Sequence, residues 1–80
     1  MNKKRRTSLE TALFRIRQAI EIVEEVRDEE SDSMDNIPEN LQSTERYTSM
    51  EDAIDSLEDA ISSLEDATES INKAINGNES

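Results

Sequence analysis

Eighty residues suffice for one small domain but bury too little surface for comfortable stability, so a chain of this length needs some further support. With no Cys and no His, disulfides, zinc sites and thiolate or imidazole chemistry are excluded, which leaves oligomerisation as the available support. A net charge of −11 with one Gly, one Pro and two aromatic residues would suit a disordered chain, but the apolar residues recur with a helical period that argues for folding.

Residues 1–7, with Lys3, Lys4, Arg5 and Arg6, read as a basic N-terminal arm. The polar Thr7, Ser8, Glu10 and Thr11 that follow stand where a signal peptide would need an apolar stretch, and no apolar run approaches the ~20 residues of a membrane span. The expected setting is therefore the cytoplasm, with no membrane contact. Thr7 and Glu10 have the spacing of a capping box, placing helix 1 at residues 8–33. Its seam falls at Leu9, Leu13, Ile16, Ile20 and Val23, and the rhythm continues through Arg27 and Glu30 to Met34.

Residues 34–42 form the connecting turn, and helix 2 follows at 43–76, with Pro38 as an alternative start because proline is favoured at the first position of a helix. Its seam is more regular: Tyr47, Met50, Ile54, Leu57, Ile61, Leu64, Thr68, Ile71 and Ile75, with Ala-Ile-Asp-Ser-Leu-Glu-Asp at 53–59 echoed at 60–66. A seven-residue period on a 3.6-residue helix implies a left-handed supercoil. Asn76 and Gly77 supply the stop, with Gly77 expected in the left-handed conformation, and 77–80 form a tail. Both chain ends are expected to fray.

So short a connection predicts an all-α, antiparallel, coiled-coil-like hairpin. Ala12, Ala19 and Val26 in helix 1, and Ala53, Ala60, Ala67 and Ala74 in helix 2, widen each seam to three residues per heptad. Such a width suits a four-helix bundle, so the chain is expected to associate with itself, most simply as a dimer of hairpins. Helix 1 would reach roughly 30–40 Å, and a helix 2 starting at Pro38 roughly 55 Å, leaving Ile71 and Ile75 to overhang. With Phe14 and Ile22, which lie off the helix 1 seam, they are the candidate oligomer interface.

Nothing in the chain points to catalysis or to a cofactor. Asp28, Asp32, Asp35 and Glu39 lack the glycine and the alternate-position ligands of a calcium loop, so no metal site is expected. The acidic face of helix 2, at Glu51, Asp52, Asp55, Glu58 and Asp59 and on to Glu65, Asp66 and Glu69, suits a basic protein surface. In a hairpin the last three would also lie near the basic end of helix 1 and neutralise it. Four cations on so acidic a chain make a poor nucleic-acid footprint. Around the turn, Asn36, Asn40, Gln42, Arg46 and Tyr47 bring together amides, a guanidinium and a phenol able to bind a partner or a small anion.

The segment Asp35-Asn36-Ile37-Pro38-Glu39-Asn40-Leu41-Gln42, with Ser43 to Tyr47 and the acidic heptads after it, resembles small acidic proteins of bacteriophages and mobile elements in which an Asn-x-Pro-Glu-Asn-Leu-Gln turn joins two helices. The resemblance implies a bacterial or viral cytoplasmic setting and an accessory or anti-defence role, and transfers no catalytic residue. The combined expectation is a non-catalytic oligomeric protein that binds a macromolecular partner, such as a basic host protein, through its acidic face or turn. The alternative is a protein that sequesters an anionic metabolite or signalling nucleotide between protomers.

Overall fold

A computed structural model describes residues 1–77 as two long helices joined by a tight connection: α1 at Lys3–Asp35, a 3-10 turn at Glu39–Leu41, and α2 at Glu45–Asn76. The helices lie against each other as an antiparallel hairpin, and there is no strand among the described residues. The molecule is a rod of 59 × 18 × 14 Å.

α1 begins earlier than the capping box at Thr7 predicts. Asn2 is the N-cap: its side-chain carbonyl accepts from the Arg5 amide at 2.8 Å. A good cap followed by four strong helix formers, Lys3 to Arg6, extends the helix through the residues expected to be an arm. Thr7 becomes an interior position whose carbonyl accepts from the Thr11 hydroxyl at 3.2 Å. At 33 and 32 residues the helices are each about 50 Å long, so the predicted overhang does not arise. Ile71 and Ile75 instead take their places, half-buried, in the seam between α1 and α2.

The connection takes the later of the two starts considered for helix 2, near 43, and not the one at Pro38. Proline cannot donate a backbone hydrogen bond, and Pro38 (φ −56°, ψ 147°) leads only the 3-10 turn, where the Leu41 amide donates to the Pro38 carbonyl at 2.8 Å. Thr44 then caps α2. Its hydroxyl accepts from the Tyr47 amide at 3.4 Å and donates to the Leu41 carbonyl at 2.8 Å, tying turn and helix together. At the far end Gly77 is right-handed (φ −64°, ψ −24°), so α2 does not close through the left-handed glycine expected there. Residues 78–80 of the expected tail lie outside the described residues.

The seam assembles as the period demands. Every seam residue from Leu9 to Met34 and from Tyr47 to Ile75 is buried or half-buried, including the polar Arg27, Glu30 and Thr68. The core is nonetheless thin, because two helices can cover only one side of each other. Only Met50 (9% exposed) and Ile61 (6%) are buried among the described residues, and neither completely. The accessible surface is 6105 Å², about a quarter more than the roughly 4,900 Å² expected of a folded monomer of 9.1 kDa.

Candidate functional site

The seam gives the rod two unlike long sides. One side is charged: Glu10, Phe14 and Arg17 of α1 share a shallow groove with Thr68 and Asn72 of α2. The acidic positions of α2 that follow the seam, Glu51, Asp52, Asp55, Glu58, Asp59, Glu65, Asp66 and Glu69, are all exposed. They lie on this side and round the back of α2 because residues three and four apart share a helix face. The opposite side is dominated by small and apolar residues, with Glu29 and Glu30 on it towards the turn. There Val26 and Ser33 share a groove with Ala53, Ser56 and Leu57, and Ala12, Ala19, Ala60 and Ala67 continue the strip. Ile22 (62% exposed) and Val26 (45%) stand open on it.

Charge also divides the rod along its length. Residues 21–59, the half that ends in the turn, hold fifteen acidic and two basic side chains, a net −13. The open half, residues 1–20 and 60–77, holds seven basic and four acidic, a net +3. The expected neutralisation of the basic end by Glu65, Asp66 and Glu69 involves no direct contact. Among the described residues the ion pairs are Arg27 with Asp28 at 3.1 Å and Glu69 with Lys73 at 3.4 Å, each within one helix. With a screening length near 8 Å at physiological salt, the two ends of a 59 Å rod act as separate fields.

α1 carries its charge against its own dipole. The partial positive charge at a helix N-terminus favours anions, yet the first turn of α1 holds cations only, and its last turn, with Asp32 and Asp35, has no basic residue. α2 follows the rule, with Glu45 in its first turn and Lys73 in its last.

The turn brings together only part of the predicted cluster. Asn36 and Arg46 line a cleft of about 460 Å³ with Ser33, Ile37, Pro38, Leu41 and Thr44. Asn36 also ends α1, its amide donating to the Asp32 carbonyl at 3.2 Å. Asn40 and Gln42 lie outside that lining, Gln42 with its amide against the Ile37 carbonyl at 3.5 Å, and Tyr47 is half-buried in the seam. Leu41, 45% exposed in the cleft wall, is a contributor that the sequence alone did not single out; an apolar residue between the polar Asn40 and Gln42 was the available signal.

Of the predicted oligomer interface, Phe14 and Ile22 are both 62% exposed but lie on opposite sides of the seam, Phe14 in the groove with Glu10 and Arg17 and Ile22 on the alanine side. Ile71 and Ile75 belong to the hairpin seam. Among the described residues no three His, Cys, Asp or Glu side chains converge as metal ligands, and no helix is long and apolar enough to cross a membrane. No protein-family model, curated protein or solved structure matches this chain.

Proposed function

We propose that this is a non-catalytic, homo-oligomeric interaction protein whose acidic face binds a basic surface on a macromolecular partner, in the accessory or anti-defence role that the turn resemblance implies in a bacterial or phage-infected cytoplasm. The observation that carries the reading is the run of exposed carboxylates from Glu51 to Glu69, a stretch with no basic residue from Tyr47 to Asn72 and with an ion pair only at its end, from Glu69 to Lys73. Like charges three and four apart weaken a helix slightly, so this face does not serve α2 itself. A rigid helix that holds them in register presents an extended array of one sign, which raises the encounter rate with an oppositely charged protein and fixes its orientation. The shallow grooves beside the seam offer wide contact in preference to the enclosure that a reaction needs.

The anionic-ligand alternative draws on the cleft that Asn36 and Arg46 share. It is the weaker of the two, because Arg46 is one of only two basic residues among fifteen acidic ones in that half of the rod, and an anion is repelled before it arrives.

Affinity capture from bacterial lysate, with the native chain and with E51K/D55K/E58K/D59K as baits, tests the reading. A basic protein retained by the first and lost by the second, while circular dichroism stays helical, is the expected result. Equal retention by both baits would remove the acidic face from the account.

A further inference from the structure

The open alanine side of the rod and the lopsided charge along it have a common explanation. We propose that two copies pack head to tail through this side. Each copy's basic open end lies on the acidic turn end of the other, about a two-fold axis that passes beside Ala19 of α1 and Ser63 of α2. The inference rests on the oligomeric part of the function proposed above and does not depend on what the acidic face binds.

Area is the first argument. A broad side of a 59 × 18 Å rod offers about 1,000 Å², above the roughly 800 Å² per partner of a standard interface, and the chain exposes more surface than a compact monomer of its mass. Ile22 and Val26 are the large apolar side chains left open on it. The alanines around them allow helices to approach closely, the exposed Ser56 and Ser63 add nothing bulky, and the carboxylates of Glu29 and Glu30 lie towards its turn end.

Charge then selects the arrangement. A face can pack on its own copy about a dyad parallel to the rod or about one that crosses it. The parallel dyad places two turn ends side by side, each of net −13. The crossing dyad sets each turn end against an open end of net +3 and runs α1 antiparallel to its mate, so Lys3 to Arg6 meet the stretch from Asp32 to Asp35. The arrangement of charge along α1, unfavourable to its own dipole, becomes complementary to itself.

Register supplies the third argument. Leu13 shares a groove with Thr68, and Val26 shares one with Leu57, so Ala19 stands level with Ser63. Reversal about that level pairs Ala12 with Val26 of the partner copy and Ala19 with itself on α1. On α2, Ala60 and Ala67, and Ala53 and Ala74, are symmetric about a point half a residue beyond Ser63. The small-residue layers of both helices are thus symmetric about one level to within half a residue, which the hairpin contact alone does not require.

Because the chain has no cysteine, a single introduced thiol reports the geometry. Under mild oxidation A19C, at the dyad, is expected to become a covalent dimer nearly completely. S8C, eleven residues from the dyad and so about 33 Å from its mate, is expected to remain uncrosslinked. The variant K3E/K4E/R5E/R6E should dissociate at least tenfold more readily at low salt while its helicity holds or rises, since acids suit the start of α1. A dimer that crosslinks at S8C but not at A19C, or one unmoved by the charge reversal, would overturn this packing and leave the oligomeric reading standing. A chain monomeric at every concentration would overturn both.

Discussion

Ile61 is the most deeply buried side chain of the hairpin, and Phe14 is among the most exposed of its large apolar ones, so the two calibrate what the seam contributes. At fixed protein concentration, Ile61→Ala is expected to lower the unfolding free energy by about 2–4 kcal/mol, as for other truncations that leave a cavity, and Phe14→Ala by no more than about 0.5 kcal/mol. Urea titration with an unchanged slope checks both. These positions were legible in the sequence because period fixes direction: a residue on the four-and-three rhythm faces the partner helix whatever its chemistry. Arg27 shows this, half-buried in the seam although its guanidinium turns aside to Asp28. Less legible was which side of the seam an off-rhythm residue would take. Phe14 and Ile22 were grouped as one interface, but they stand eight residues apart on α1, more than two turns, and flank different sides of the hairpin.

At the scale of the element, the ends were harder to read than the bodies. Thr7-Ser8-Leu9-Glu10 is a valid capping signal, but Asn2 is a stronger cap with four good helix formers behind it, and the longer helix wins because nothing between Lys3 and Thr7 breaks it. Pro38 was a real punctuation mark with two readings. The structure resolves them through Thr44, which completes the turn below it and starts α2 above it. Removing that hydroxyl frees both contacts at once, so Thr44→Ala is expected to cost about 1 kcal/mol of stability in the same titration, and Thr44→Ser to recover most of it. The lengths followed from these ends: once α1 gained five residues at its start and α2 lost the proline start, the helices matched, and the overhang expected at Ile71 and Ile75 disappeared.

As a whole molecule the chain is a rod with a thin seam, one carboxylate-rich side, one small-residue side and ends of opposite charge. Composition already carried the acidity and the need for support beyond a single core, and the alanine repeats carried the width of the seam. The division of charge between the two ends required the fold, because it joins the first twenty residues to the last quarter of the chain. The turn cluster was only partly legible for a similar reason: Arg46 and Asn36 converge across the connection, while Tyr47 turns into the seam one residue later. The central claim is that this hairpin completes itself with another copy and acts by binding. Native mass spectrometry of the full chain, purified gently at near-physiological salt, tests its first half most directly. The account predicts a species at twice the 9.1 kDa chain mass that persists on dilution to low micromolar concentration, and a spectrum containing only the single chain at every concentration would contradict it.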